Sequence, residues 1–154
     1  MKTLISVGTG GHPIVSVLIS LYNYKKYIEN TLESVAQQTL KNIELIICND
    51  CSTDGGEKIA ISWIKKNKKR FCYASLIEND INSGLPATRN ISISCAHAPY
   101  IFILDADNFI FPSCLEKHTA TLQEAGDDVA FAYSQRLVFN DQNPSDCSLE
   151  NLPD

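Results

Sequence analysis

Apolar runs of strand length alternate with amphipathic segments along most of the chain. The five runs cover residues 14–21, 43–48, 71–78, 100–105 and 128–139. They are rich in β-branched residues, and their apolar positions are mostly continuous, whereas a half-exposed strand would alternate apolar with polar ones. This pattern predicts five strands that are covered on both faces of a sheet.

The four segments between these runs have apolar residues at the spacing of an amphipathic helix. They cover residues 24–38, 52–70, 83–98 and 112–126. Strands that alternate with helices are typical of βαβ units. The predicted fold is therefore α/β, with a mostly parallel sheet and helices on both faces.

All of these elements lie in residues 14–139, and a chain of 154 residues suits a single domain. Residues 1–13 are predicted to be an N-terminal extension, because glycines and a proline follow their short apolar patch. Residues 140–154 are polar and rich in turn-forming residues, and they are predicted to be a tail.

Composition narrows the class of protein. The net charge of −5 and the pI near 5.1 argue against a nucleic-acid partner, which positive charge would attract. No apolar run approaches the roughly 20 residues of a membrane span, and the apolar start is shorter than the core of a secretory signal peptide. We therefore expect no transmembrane segment and a reducing, cytoplasmic location in which the six cysteines are unpaired.

Cys48 and Cys51 form a CxxC, a spacing found in redox pairs and in zinc sites. A zinc site would need a second such pair or a histidine pair, and the remaining cysteines are scattered singly. A redox or zinc protein is one hypothesis, and a coincidence at the end of a buried strand is the simpler interpretation.

Ligands of parallel sheets bind beyond the carboxyl ends of the strands, which directs attention to LDADN. Asp105 and Asp107 are two residues apart, so extended backbone would turn both carboxylates to one side. The two carboxylates would repel, and Mg²⁺ or Mn²⁺ would relieve the repulsion while bridging to phosphates. The alternative is a pair of solvated aspartates in a turn.

Two further segments follow the first and second predicted strands. In NDCSTD, Asp50 stands where a buried strand opens into a loop, and its carboxylate could accept hydrogen bonds from a ligand. Residues 52–54 of the same segment are good helix caps, which is the structural alternative. In SLYN, Ser20 offers a hydroxyl and Tyr22 a ring that could stack on a flat base or pack at the strand end.

The fourth candidate is Arg89 in NSGLPATRN, whose forked donors could bind a diphosphate or form a surface salt bridge. Two other segments are predicted to be structural. The run KKNKKR, residues 65–70, suits the negative C-terminal end of a helix. GTGGH, residues 8–12, precedes the first predicted strand and so lacks the strand–loop–helix order of a phosphate loop.

Together these motifs resemble the family 2 glycosyltransferases of the GT-A fold. That family shows a strand ending in YN, a strand closing DD.STD, an N.G...ARN segment and a DADD-like strand end. The counterparts here are SLYN, NDCSTD, NSGLPATRN and LDADN, and the resemblance covers residues 14–139. It implies a Rossmann-like nucleotide-diphospho-sugar transferase fold. It also implies inverting transfer of a sugar from a nucleotide-diphosphate donor, typically a UDP-sugar, to an acceptor hydroxyl.

The resemblance implies roles for the candidate residues. Ser20 and Tyr22 would line the nucleoside pocket, and Asp50 would hydrogen-bond the base. Arg89 would lie near the donor phosphates or sugar. Asp105 would contact the ribose or sugar.

The resemblance further implies a metal. Asp107, with Asp105, would ligate Mn²⁺ or Mg²⁺, which would bridge the diphosphate and stabilise charge on the leaving group. The acceptor would be a glycan, a lipid or a protein that the sequence does not specify, and peripheral association with a membrane remains open.

The chain departs from the family pattern in two ways. Asn49, Thr88 and Asn108 stand where the family usually has Asp, Ala and Asp. In addition, the family's acceptor-binding half follows the fifth strand and carries the catalytic base, so residues 140–154 would be only its beginning.

The identity of the catalytic base therefore stays unknown. Three carboxylates are candidates by position alone: Asp141, Asp146 and Glu150. The alternative to an enzyme is a truncated or non-catalytic module that binds nucleotide-sugars. Nucleotidyl transfer ranks lower, because no glycine-rich loop follows the first strand.

Overall fold

The computed structural model describes residues 1–126, 128–141 and 143–150, except for the side chains at positions 144 and 145. The chain forms two compact units, Met1–Thr119 and Ala120–Asp154. The strands of the first unit are β1 (Lys2–Val7), β2 (Val15–Leu21), β3 (Ile43–Asn49), β4 (Tyr73–Glu78) and β5 (Tyr100–Asp105). Its helices are α1 (Ile28–Ala36), α2 (Gly56–Asn67), a 3₁₀ turn (Lys68–Arg70) and α3 (Leu85–Ser94), and α4 (Cys114–Ala125) begins within it.

The five strands of the first unit form one sheet in the order β1-β4-β3-β2-β5. β2 pairs in parallel with both β3 and β5, and β3 pairs in parallel with β4. β1 alone runs antiparallel, beside β4. The predicted α/β fold with a mostly parallel sheet is therefore confirmed.

Helices cover both faces of this sheet. On one face, odd-numbered side chains of β2 such as Val17 and Ile19 are fully buried in the main core, to which α1, α2 and α4 contribute. On the other face, Leu18 and Ile46 lie in a smaller cluster against α3. In the part of the chain that the structure describes, no helix combines the length and the apolar character that crossing a membrane requires.

The N-terminal segment contains a strand that the sequence pattern did not predict. Residues 2–7, within the expected N-terminal extension, form β1 and pair with β4, with a register shift between Thr3 and Ile5. The strand ends at a close approach: a Cβ placed on Gly8 would lie 2.1 Å from the main-chain oxygen of Cys72. Pairing to an already buried neighbour explains why a short, half-exposed segment is extended.

The prediction of a fifth strand over residues 128–139 is confirmed only for its last residues, 136–139, and that strand lies outside the central sheet. Residues 128–135 are not in a strand, and their large side chains are solvent-exposed, Phe131 at 71% and Tyr133 at 62%. The second unit instead contains an antiparallel pair, β6 (Arg136–Asn140) and β7 (Asn143–Glu150). All of β7 lies in the predicted polar tail, residues 140–154. A polar segment can form this strand because hairpin pairing satisfies backbone groups regardless of side-chain polarity.

Candidate functional site

The carboxyl ends of β2, β3, β4 and β5 meet at one edge of the sheet, because these strands are parallel. Ser20, near the end of β2, lies in register with Cys48 on one side and with Asp105 on the other. Ser20 is half-buried, and Asp105 is exposed. The sheet therefore places two of the predicted site residues side by side at this edge.

Asp105 and Asp107 are both exposed to solvent, and the residue between them is buried. Asp105 ends β5, and Ala106 between the two aspartates is only 2% exposed. The main-chain N–H of Asn108 donates to the oxygen of Asp105 at 3.1 Å, so the chain turns here. The exposure of both carboxylates thus arises from a strand end followed by a turn, whereas the sequence argument, which placed both on one side, assumed extended backbone throughout.

Tyr24 is a residue of this edge that the sequence analysis did not single out. Its pKa is raised above the ordinary value, chiefly by the negative charge of Asp107, then by burial and by the charge of Asp105. A phenol that responds to both carboxylates stands on their side of the sheet edge. Its place two residues beyond Tyr22 in SLYNY was the available sequence clue.

Arg89 reaches the same edge from α3. Its Nη2 lies 2.6 Å from Oδ1 of Asp105, and both side chains are partly exposed. The Nε of Arg89 is buried and has no hydrogen-bond partner among the described residues. The salt bridge considered from the sequence is therefore present, and it holds the guanidinium next to the acidic pair.

Asp50 is almost fully buried, and its carboxylate contacts protein groups. Oδ1 accepts hydrogen bonds from Asn79 Nδ2 at 2.7 Å and from the Ser83 N–H at 2.8 Å. Oδ2 accepts one from the Gly84 N–H at 2.8 Å. Burial by itself would raise the pKa of Asp50, but these bonds and one from Thr88 together hold that pKa below its ordinary value.

The contacts of Asp50 fix the start of α3 and hence the position of Arg89. Asn79 donates both to Asp50 and, at 3.2 Å, to Oγ1 of Thr88. Thr88 lies on α3 immediately before Arg89, and Gly84 immediately precedes the helix. The structure thus brings Asp50 into the site through the segment that carries Arg89.

The loops after β2 and β3 are joined by hydrogen bonds between polar side chains and main-chain groups. Oδ1 of Asn23 accepts from the Thr53 N–H at 2.8 Å, and the Asn23 N–H donates to Ser52 Oγ at 3.1 Å. Asp54 accepts from the Lys25 N–H at 2.8 Å. Residues 52–54, considered as helix caps, therefore tie this loop to the SLYN loop, in which Tyr22 is 46% exposed.

The CxxC is a structural feature. The thiol of Cys48 is buried and lies 3.5 Å from the side-chain Oδ1 of Asn79. The thiol of Cys51 lies 3.2 Å from the main-chain oxygen of Asn79. Both cysteines are free. Burial is the main reason that the pKa of Cys48 rises to about 11, which disfavours the thiolate needed for redox or zinc chemistry.

The acidic pair fits a divalent cation that phosphate oxygens help to hold. Within residues 1–126, 128–141 and 143–150, no three His, Cys, Asp or Glu side chains are grouped to hold a metal ion by themselves. Asp105 and Asp107 nevertheless supply exposed carboxylate oxygens, the donor type that Mg²⁺ and Mn²⁺ prefer. Proteins also commonly supply only one or two carboxylate ligands to such a cation where a substrate diphosphate completes the coordination.

The candidate base residues lie in the second unit. Asp146 and Glu150 are on β7, and Asp141 is in the turn before it. Oε2 of Glu150 lies 2.8 Å from Nη2 of Arg136 on the paired strand. That ion pair occupies the carboxylate of Glu150, and the prediction of a base stays untested for all three residues.

Residues 16–144 match the family described as "Glycosyl transferase family 2". Among curated proteins, EpsE of Bacillus subtilis (strain 168) is 38% identical over 112 residues, which cover 73% of this chain and 39% of that protein. The Escherichia coli UDP-Glc:alpha-D-GlcNAc-diphosphoundecaprenol beta-1,3-glucosyltransferase WfaP is 33% identical over 128 residues, 83% of this chain and 48% of its own length. The chain thus spans less than half the length of either relative.

A solved structure shares the fold. The S. aureus protein TarS, residues 1–349 in complex with UDP, superimposes with a TM-score of 0.63 and 30% sequence identity, over 71% of this chain and 32% of TarS. The same protein has also been solved with UDP-GlcNAc.

Proposed function

The chain belongs to glycosyl transferase family 2 and has the GT-A fold, and we propose that it forms the donor-binding part of a sugar-transferring enzyme. The donor is a nucleoside-diphosphate sugar, most simply a UDP-sugar, and the acceptor supplies a hydroxyl group. The observation that carries this proposal is the meeting of Ser20, Arg89, Asp105 and Asp107 at one edge of the sheet. Exposed carboxylates beside an arginine suit a metal–diphosphate ligand.

The nucleoside end of the donor is assigned to the β2 and β3 ends. Tyr22 offers an exposed ring for stacking, and Ser20 offers a hydroxyl. A carboxylate has about four lone-pair positions, and the described contacts of Asp50, including the one from Thr88, number four. A base N–H would therefore bind Asp50 by replacing one of these contacts. The TarS complexes with UDP and with UDP-GlcNAc, and the UDP-Glc donor in the name of WfaP, support uridine.

The diphosphate end is assigned to the acidic pair and Arg89. Asp107 and Asp105 would hold Mn²⁺ or Mg²⁺, which when bound would neutralise the charge that develops on the diphosphate leaving group. Arg89 adds a permanent positive charge beside Asp105 and has a buried N–H without a partner among the described residues. Phosphate oxygens would satisfy that donor and strengthen the hold on the leaving group.

Inversion of the anomeric centre is part of the proposal. The name of WfaP pairs UDP-Glc, an α-linked donor, with a β-1,3 product linkage. Inversion requires one direct displacement, in which the acceptor oxygen attacks opposite the diphosphate and a base takes its proton. The same relative acts on a diphospholipid-linked sugar, so an acceptor of this kind is a reasonable first choice for assay.

Calorimetric titration with UDP in the presence of Mn²⁺ tests the donor site. We expect binding that Asp107→Ala weakens by at least roughly tenfold, since a metal ligand is lost. Glu29→Ala removes an exposed carboxylate that the proposal does not use, and it is the control. Equal affinity of the two variants, or no binding of UDP at millimolar concentration, would contradict the proposal.

A non-catalytic nucleotide-sugar-binding module is the second candidate, because the chain spans only 39% and 48% of the lengths of EpsE and WfaP. Sugar transfer to an acceptor separates the two functions. UDP binding without transfer by a version of the protein as long as these relatives would favour the module. Transfer that depends on Asp107 would favour the enzyme.

A further inference from the structure

A cavity lies at the edge of the sheet opposite the candidate donor site, where β2, β3 and β4 begin. Its volume is about 330 Å³. Its lining comes from three segments: residues 9–12, residues 41–42 and residues 69–72. GTGGH and the end of KKNKKR, which the sequence analysis treated as unrelated structural features, therefore form walls of the same space.

The glycine-rich wall is held in place by the backbone of the two residues that precede β4. The N–H groups of Thr9 and Gly10 donate to the main-chain oxygens of Phe71 and Cys72, both at 3.1 Å. Gly10 and Gly11 then take φ values of 81° and 104°, which side-chain-bearing residues rarely adopt. The loop follows β1 and leads into β2, so it forms an open backbone rim without a helix behind it.

The cavity is positively charged in a protein that is acidic overall. Lys41, Lys69 and Arg70 line it, together with His12, and no Asp or Glu is among its lining residues. The net charge of the whole chain is −5. Among the described residues, Lys41 and Lys69 have no carboxylate within 4.0 Å, so their charges are not neutralised by an ion pair.

Arg70 gives this wall a fixed geometry. Its Nε donates to the Ala36 oxygen at 2.7 Å, and its Nη2 donates to the Gln38 and Leu40 oxygens at 2.9 and 2.6 Å. Its Nη1 donates to the Lys41 oxygen at 2.9 Å. The guanidinium thereby joins the 3₁₀ turn to the α1–β3 connection and holds Lys41 beside the 69–72 segment.

Cationic side chains around an open space, one of them fixed by hydrogen bonds, with a backbone rim and a buried apolar floor at Phe71, are the features of an anion site. We propose that this cavity binds a phosphoryl group, either as a free phosphate compound or as the headgroup of an anionic lipid. The site is separate from the donor site, because it lies at the amino ends of the strands whose carboxyl ends carry Ser20 and Asp50. It therefore does not depend on the proposed transfer reaction.

Titration of the ¹⁵N-labelled chain with inorganic phosphate, without divalent metal and with EDTA, tests the site by NMR. We expect saturable shifts of the Gly10, Gly11 and Cys72 amides. The double variant Lys41→Gln/Lys69→Gln should weaken binding by roughly tenfold, since each lysine contributes a Coulomb attraction near the anion.

The double variant Lys26→Gln/Lys58→Gln removes the same charge from other parts of the first unit and should leave the affinity unchanged. Cosedimentation with phosphatidylcholine vesicles, with or without phosphatidic acid, distinguishes the two sources of the phosphoryl group. Binding to phosphatidic acid that requires Lys41 and Lys69 identifies a lipid headgroup, and phosphate binding alone identifies a soluble compound. Absence of both, or equal losses in the two double variants, would overturn the proposal.

Discussion

The main-chain N–H of Gly84 donates a hydrogen bond of 2.8 Å to Oδ2 of Asp50. Gly84 immediately precedes α3, and Asp50 immediately follows β3. A buried carboxylate at a strand end therefore anchors the helix that carries Arg89 to the acidic pair. Asp50 has a structural part in the site that is independent of any contact with a nucleotide base.

We predict that Asp50→Asn lowers the free energy of unfolding by about 2–3 kcal/mol. The neutral amide loses the charge-assisted bonds, and its NH₂ group faces N–H donors of Asn79 and the loop. Urea unfolding measures the change. Asp107→Asn, at an exposed position, is the control, and an equal effect of the two substitutions would contradict the anchoring role of Asp50.

The same carboxylate predicts a dependence of stability on pH. The folded state holds the pKa of Asp50 below its ordinary value of 3.8. Its contribution is therefore complete above that value and is lost as the pH falls through the lower, folded-state pKa. Acid unfolding curves should show a steeper loss of stability below about pH 4 for the wild type than for Asp50→Asn. Parallel curves would argue against this linkage.

The pKa of Tyr24 can report whether a metal ion is bound at Asp105 and Asp107. Its raised pKa depends most on the charge of Asp107, so we predict that Asp107→Asn lowers the pKa of Tyr24. Addition of Mg²⁺ to the wild type should shift the pKa in the same direction, because a bound cation offsets the carboxylate charge. NMR titration of the Tyr24 ring measures both shifts. A pKa that is indifferent to Mg²⁺ would mean that no metal binds at Asp107 without the donor.

We predict that the protein is less stable with cysteine at position 51 than it would be with glycine there. The φ of 61° at this position lies in the left-handed region, which costs a side-chain-bearing residue about 1 kcal/mol or more. Cys51→Gly should therefore raise the free energy of unfolding by about 1 kcal/mol. Cys51→Ala keeps the unfavourable backbone and should give no gain in chemical denaturation, so a similar gain in both variants would assign the effect to the thiol.

Gly8→Ala should destabilise the protein by at least about 2 kcal/mol, because its Cβ would overlap main-chain atoms of Cys72 and Tyr73. Main-chain atoms in a paired strand cannot rotate away as a side chain can. Gly10→Ala is the comparison, since nothing lies within 4 Å of a Cβ there and only the positive φ opposes it. Thermal unfolding should show the larger loss for Gly8→Ala.

The sequence predicted the central sheet well because each of the four parallel strands is itself a recognisable apolar run. Val17, Ile47 and Leu76 belong to continuous apolar runs, and all are fully buried. β1 was missed because its pairing partner, β4, determines its conformation. The predicted strand failed over residues 128–135 for the opposite reason: Phe131 and Tyr133 are apolar, but nothing described in the structure covers them.

The sequence predicted where in the fold the site residues lie better than it predicted which groups they contact. Parallel strands oblige SLYN, NDCSTD and LDADN to meet, so the proximity of Ser20 and Asp105 followed from strand order. The orientation of Asp50 did not follow, because it depends on loop N–H groups more than thirty positions away in sequence. Tyr24 was missed because only the folded chain brings it near Asp107.

The ties between the SLYN and NDCSTD loops have a consequence for hydrogen exchange. The amide hydrogens of Lys25 and Thr53 belong to exposed segments, yet they are donated to Asp54 and Asn23. They should exchange with solvent more slowly than the amides of an untied surface loop. Loops ordered before the ligand arrives lose little further freedom on association, which favours a fast encounter and a small entropic cost of binding.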